Sequence, residues 1–357
     1  INRVYNTGSM KAAAGAAVVL DVKDGSVLAA SNYPSFDQNL YATQYSEYSA
    51  DESLPLFNRA LQGLYTPGST FKPAVAIAAL DTGLINRYST VNCTRVYTYY
   101  KDYRPKCTQH GHGNGPIDVV NAIKWSCNVF FYELGARMTI DMMDETAKGL
   151  GLGEPTGIEL VEKVGWRANA ESKKASYTGV DAAWNGGDRV LTAIGQSENR
   201  FTPLQLCVYA STLATKGVRY RATFLNRVTS SDYRTLVYSN SPEVVSKMNI
   251  SDTTFQTYSE GMRRVVTMPG GTARKYFGGC EDPDANQWPS KITVCAKTGT
   301  AQHSSGGSDH GAFVCFAPMD DPQVAIAIFG EKTAHGSSMA AVAEPILKAY
   351  FEMVDAS

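Results

Sequence analysis

The sequence predicts an α+β protein, a five-stranded antiparallel sheet assembled from both ends of the chain with a mainly helical segment inserted between them. Three observations carry that expectation. Near the start, "AAGAAVVLDVKDGSVLAASNYP" places two apolar runs around Lys23-Asp24-Gly25, and Asp-Gly between such runs is a strong hairpin signal. Near the end, "KITVCAKTGTA", "HGAFVCFAPM" and "QVAIAIFGE" read as strands, the last two joined by a turn at Asp320-Asp321-Pro322. Between these ends, apolar residues recur at helical spacing. Short turns impose antiparallel pairing, and five strands form only if the N-terminal hairpin returns to the C-terminal strands.

In chain order, residues 35–66 are polar and aromatic, with a helix expected near "SLPLFNRALQG". A second helix starts near Ser69 and reaches about Gly83. Residues 88–115 look irregular. "PIDVVNAIKW" opens with Pro116 at a helix N1 position, and "NVFFYELGARM" resumes as a helix after a break at Ser126-Cys127-Asn128. "TIDMMDETAKGLGLG" is a helix closed by glycine. Residues 155–190 read as loop. "TPLQLCVYASTLATKG" is a helix with Pro at N1, "SDTTFQTYSEGMRRVVTMPGGTARKYF" is helix, turn, helix, and "SSMAAVAEPILKAYFEMV" closes the chain as a helix. The implied partition is a tail or cloning remnant over 1–11, a sheet subdomain over 12–64 and 186–357, and a mainly helical subdomain over 65–185. A cleft between the two would carry the site.

The 357 residues can bury a large core. A hydrophobic share of 43%, a charged share of 19% and a net charge of −1 fit an ordinary globular protein and offer no basic face for nucleic acid. No apolar run approaches a membrane span. The opening "INRVYNTGSMKAAAG" lacks an initiator Met, so the chain reads as a piece of something longer.

Chemistry concentrates in three short elements. In "YTPGSTFKP", Ser69 and Lys72 are three apart and share a face if a helix begins there; Pro73 places that beginning close by. The helix N-terminus favours an anion at Ser69, and burial disfavours the Lys72 ammonium, so Lys72 can act as a base. The bland alternative is a buried helix start with a capping serine and a snorkelling lysine. The second element is Ser126-Cys127-Asn128, at an interhelical break. The third is Lys297-Thr298-Gly299-Thr300, on a strand.

In this order the three elements form the motif set of active-site serine enzymes that handle β-lactams. The flanks "FNRALQGLYTPGSTFKP", "TAIGQ", "FTPLQL", "GGTARKYF" and "KTGTAQ" agree. The chain resembles the transpeptidase domain of class B penicillin-binding proteins over about residues 12–352. That resemblance implies the penicillin-binding-protein and serine β-lactamase fold. It implies acyl transfer from stem peptides ending in D-Ala-D-Ala, with β-lactams as mimics. Ser69 would be the nucleophile and Lys72 its base, with Ser126 relaying the proton to the leaving amine. Asn128 would orient Lys72 and bind the substrate amide, Lys297 would add positive charge beside Ser126, and Thr298 and Thr300 would hold the substrate carboxylate. Gly299 would let substrate backbone lie against the strand. The oxyanion hole would be the backbone N–H groups of Ser69 and Thr300. No cofactor is implied for catalysis. The expected setting is the extracytoplasmic face of a bacterial membrane, with a single-span anchor outside this chain and a glycosyltransferase partner. A serine β-lactamase, a β-lactam sensor, a D,D-carboxypeptidase and an inactive scaffold are the alternatives. No carboxylate for deacylation stands in an obvious helix near the site.

Seven cysteines are too odd a set for a disulfide scaffold. Cys207, Cys295 and Cys315 sit in apolar runs as buried hydrophobes. Cys93, Cys107, His110, His112 and Cys127 crowd into 35 residues, a donor set suited to tetrahedral zinc. The expected ligands are Cys93, Cys107, His112 and Cys127, with His110 as the other imidazole. A Cys93–Cys107 disulfide competes with that reading, as do plain burial of the thiols and exposure of the imidazoles. His303, His310 and His335 read as surface or cleft residues. Trp184 and Tyr177 are candidates for the cleft wall.

Overall fold

A computed structural model describes residues 12–107, 115–278, 280–281, 291–301, 309–333 and 335–355. The five expected strands are present: β1 (Ala14–Asp21), β2 (Val27–Tyr33), β3 (Cys295–Ala301), β4 (His310–Ala317) and β5 (Val324–Glu331). They pair antiparallel in the order β2-β1-β5-β4-β3. β1 meets β5 with Ala14 opposite Glu331 and Asp21 opposite Val324, so the N-terminal hairpin does return to the C-terminal strands. The order leaves β3, with its Lys297-Thr298-Gly299-Thr300, on an open edge. Val314 of β4 faces Lys297 and Gly311 faces Thr300.

Helix α1 (Tyr41–Ala50) has no buried residue, and so no apolar stripe to announce it. The helix expected near "SLPLFNRALQG" shrinks to one turn, Arg59–Gln62. Helix α2 (Lys72–Asp81) follows a 3-10 turn over Gly68–Phe71 and buries nearly all its length. Residues 88–115 are more regular than expected, since Thr90–Cys93 pairs with Gly115–Asp118. Pro116 therefore lies in a strand, and helix α3 (Val119–Lys124) starts one turn later, where the Asp118 side chain accepts from Asn121 N–H. Helices α4 (Asn128–Arg137) and α5 (Ile140–Gly149) fall where expected.

The stretch 155–190 is not all loop. It holds α6 (Ala170–Ser176) and α7 (Gly186–Thr192), opened by capping boxes at Asn169 and Asn185. Helix α8 (Pro203–Ala214) is buried on every side and packs against β1, β4 and β5. Helix α9 (Asp252–Thr267) packs on α3, on α2 and on the edge strand β3. Helix α10 (Ala340–Asp355) packs against β5. These contacts bring the Ser69 turn, the α3–α4 break and β3 to one place. Among the described residues no helix is long and apolar enough to cross a membrane.

Candidate active site

The site is built from three backbones locked at close range. The Ser69 turn lies directly against β3 because both are stripped of side chains where they touch. A Cβ on Gly68, which has φ +54°, would come within 2.5 Å of the Thr300 carbonyl oxygen. A Cβ on Gly299 would come within 2.5 Å of the Pro67 carbonyl oxygen and 2.9 Å of Thr70 Cγ2. Its bare Cα makes room for the nucleophile's own turn, a second demand beside the expected one toward substrate. Gly68 N–H donates to Gly195 O at 3.0 Å, which ties the same turn to the α7–α8 link.

The break between α3 and α4 is a left-handed kink. Ser126 has φ +55°, a conformation that costs a non-glycine residue on the order of 1–3 kcal/mol and that clusters at functional sites. The kink turns Ser126 and Asn128 toward Lys72. Lys72 Nζ donates to Ser126 O at 2.8 Å, to Asn128 Oδ1 at 2.6 Å and to Ser126 Oγ at 3.2 Å. Lys297 Nζ donates to the same Ser126 Oγ at 2.9 Å and to Thr298 O at 2.9 Å. Both lysines are fully buried, and the Phe131 ring lies 5.3 Å from Lys72 Nζ.

The donor count separates the two amines. Lys72 has three acceptors, enough for all three protons of an ammonium. Among the described residues Lys297 has two. Electrostatics agree. Burial pushes the Lys72 ammonium down to about 8, against the thiols of Cys127 and Cys107, which favour its charge. Burial, reinforced by the Lys72 charge, holds Lys297 well below the usual lysine range. Burial and the neighbouring ammonium therefore both work against the positive charge that its motif suggested for Lys297. Ser126 Oγ accepts from both amines, so both lone pairs are taken and its own proton is free to be donated. Protonated Lys72 has no N–H left for Ser69; once neutral, it gains a lone pair for the Ser69 proton.

On β3, Thr298 Oγ1 lies 2.7 Å from Thr272 Oγ1, Thr300 Oγ1 accepts from Gly336 N–H at 3.1 Å, and Gln196 Nε2 donates to Thr300 O at 3.3 Å. Thr272 and Gln196 were not singled out in the sequence. The signal for them lay in the flanks "GGTARKYF" and "TAIGQ", which carry no chemistry until folded beside β3. His310 and Tyr177 line a cavity beside the site, and His335 is exposed. His303 lies outside the described residues, and Trp184 is half-buried.

Cys93, Cys107 and Cys127 are buried with their sulfurs within 4.8 Å of one another, and Cys107 Sγ lies 4.0 Å from Cys127 Sγ. None is in a disulfide, which removes the Cys93–Cys107 alternative. A tetrahedral zinc with Zn–S near 2.3 Å sets its thiolates about 3.8 Å apart, so this trio fits one. His110 and His112 lie outside the described residues.

Residues 15–352 match the model of the penicillin binding protein transpeptidase domain. The chain belongs to that family. It is 31% identical over 352 residues to the peptidoglycan D,D-transpeptidase MrdA of Acinetobacter baumannii, a match that covers 93% of this chain and 50% of the relative. It superposes on Pseudomonas aeruginosa PBP2 in complex with WCK 5153 with a TM-score of 0.80 at 30% identity, covering 94% of this chain and 73% of that one. A structure described as the structural coordination of polymerization and crosslinking by a peptidoglycan synthase complex matches with a TM-score of 0.77 at 30% identity, covering 96% and 56%. The chain spans about half the length of the curated relatives it matches. The fold of this penicillin-binding domain is therefore the expected transpeptidase fold, with its five-stranded antiparallel sheet and flanking helices.

Proposed function

We propose that this chain is the catalytic domain of a peptidoglycan D,D-transpeptidase that works through a Ser69 acyl-enzyme and is acylated by β-lactams. The observation that carries the reading is Ser126 Oγ, held between Lys72 and Lys297 at 3.2 and 2.9 Å beside the Ser69 turn. Neutral Lys72 takes the Ser69 proton as Ser69 Oγ attacks the penultimate D-Ala carbonyl. The backbone N–H groups of Ser69 and Thr300 hold the oxyanion. Ser126 gives its proton to the departing D-Ala amine and is resupplied by Lys72. Asn128 fixes Lys72 and the substrate amide, and Thr298 and Thr300 hold the terminal carboxylate. The amine of a second stem peptide then reverses these steps and takes the acyl group. The family's name and the relatives' names support this assignment.

The test is intact mass over time after benzylpenicillin, with Ser69→Ala alongside. A lasting adduct of one drug mass on Ser69 is expected, absent in the variant. A transient adduct with hydrolysed drug would replace the reading by a β-lactamase, and no adduct by a scaffold.

A structural zinc on Cys93, Cys107 and Cys127, with His112 or His110 as fourth ligand, belongs to the same proposal. Cys127 lies between Ser126 and Asn128, so a metal there would brace both. About one zinc per chain by elemental analysis, lost together with thermal stability in Cys107→Ser, is expected; metal-free protein of unchanged stability refutes it. The domain would act outside the cytoplasmic membrane, on an anchor supplied elsewhere in the protein, beside a glycan-polymerising partner. The solved synthase complex favours that last point.

A further inference from the structure

Beside the Ser69 turn lies a cavity of ≈ 540 Å³ that the acyl-transfer steps leave unused. Tyr65 and Thr66, which lead into the Ser69 turn, form one wall, and the link from Gln196 to Arg200 forms another. One lining residue reaches the transfer centre, since Gln196 Nε2 donates to Thr300 O on the edge strand at 3.3 Å.

Its charges are unbalanced. Two cations and three carboxylates face it. Lys173 is committed to Asp188, with both carboxylate oxygens 2.6 Å from Nζ. Arg200 Nη1 donates to the carbonyls of Ser197 and Asn199, at 2.9 and 2.8 Å, which orients the guanidinium and leaves its charge in place. Glu198 and the rim residue Asp181 are left with Arg200 alone to offset them. Glu198 is only 5% exposed, and among the described residues no cation lies within ion-pair distance of it. Its neighbour is the Tyr177 hydroxyl, whose ionisation the Glu198 charge opposes. His310 Nδ1 accepts from Lys332 N–H at 3.1 Å. A buried carboxylate without an ion-pair partner is expensive, and a ligand can supply the contact that Arg200 does not make.

We propose that this cavity receives a primary ammonium side chain of a peptide substrate, with the Glu198 carboxylate as its partner and the Tyr177 hydroxyl beside it. Leu64 and Leu191 in the walls would take the methylenes of such a side chain. The assignment rests on the transpeptidase reading and adds the group that site selects. Two sources share the chemistry, the amine-bearing residue of the acyl donor and the strand that brings the attacking amine.

The test uses the whole chain with a synthetic donor ending in Lys-D-Ala-D-Ala, its ε-amine either free or acetylated. In the donor arm, D-Ala release is compared for the two peptides. In the acceptor arm, the acetylated donor is supplied with a free-amine peptide, and the ratio of transfer to hydrolysis is compared between wild type and Glu198→Gln. A charge-assisted contact to a buried carboxylate predicts about a tenfold preference for the free amine in the donor arm, or about a tenfold fall in transfer for Glu198→Gln in the acceptor arm. Tyr177→Phe, on the rim, stands in for the acceptor arm if Glu198→Gln does not fold, with a fall of about threefold expected. Equal donor rates for free and acetylated amine, together with unchanged partition in the variant, overturn the proposal. Benzylpenicillin is run in parallel on wild type. No adduct refutes the Ser69 reading itself, whereas an adduct without amine discrimination refutes only the amine pocket.

Discussion

Gly299→Ala tests whether the Ser69 turn and β3 work as one rigid unit. The added methyl would stand 2.5 Å from the Pro67 carbonyl oxygen and 2.9 Å from Thr70 Cγ2, whereas ordinary contact begins at 3.4 Å. The turn must therefore retreat from β3 by about 0.9 Å, the difference between those two distances to Pro67. Pro67 O and Thr70 N, both backbone, stand in the way, so no flexible side-chain tip can absorb the shift. Overpacking of this kind costs about 1–3 kcal/mol of stability. The same shift separates Ser69 from Thr300, and a misplacement of about 1 Å at a reacting centre can cost about a hundredfold in rate. The assay is the second-order rate of benzylpenicillin acylation beside a thermal melt. The expected result is a rate lower by one to two powers of ten with a lowered Tm. Acylation within about threefold of wild type with an unchanged melt would show that the glycine serves something else.

Three further outcomes follow from particular contacts. The groups facing Lys72 are Ser126 and Asn128 from the α3–α4 break, the thiols of Cys107 and Cys127, and Lys297 from β3. With Lys72 pushed down to about 8, its neutral and basic form grows as pH rises, so acylation should climb from pH 6 and level off above about 9; a rate flat from pH 6 to 9 removes Lys72 as the base. Lys173→Met strands Asp188 in the interior, so a loss of about 3–5 kcal/mol is expected in urea melts, largely recovered when Asp188→Leu is added; a loss under about 1 kcal/mol refutes the pairing argument. Asn128→Ala removes the shortest of the three acceptors of Lys72, so acylation should fall about tenfold or more, with the pH midpoint moved downward because the ammonium loses a partner; an unmoved midpoint contradicts the donor count.

Much of the fold was legible because its signals are local. Asp24-Gly25 turns a hairpin whatever the rest of the chain does, and strongly apolar runs such as Val324–Glu331 have few other uses than a doubly covered strand. Helices α1, α6 and α7 were missed for the converse reason. They are short and polar, and α1 buries nothing, so no apolar period marks them. Pro116 was misassigned because proline suits a strand end as well as a helix start, and only pairing with Thr90–Cys93 decides between them.

The sequence by itself determined the three motif elements of the candidate site, though not Thr272 and Gln196, which join it only through the fold. Ser69 and Lys72 are three apart on a turn, and the motif types at Ser126-Cys127-Asn128 and Lys297-Thr298-Gly299-Thr300 name the remainder. Tertiary structure decided what those residues are when assembled. Lys297 is held well below the usual lysine range because burial and Lys72 act on it together, Gly299 faces the nucleophile's turn because Pro67 and Thr70 stand where its side chain would be, and Glu198 is a buried carboxylate with no ion-pair partner because Lys173 pairs with Asp188. Charge state, close approach and unpaired burial depend on neighbours far away along the chain. A one-dimensional reading can name the groups, but only the packed molecule sets the distances on which their energies depend.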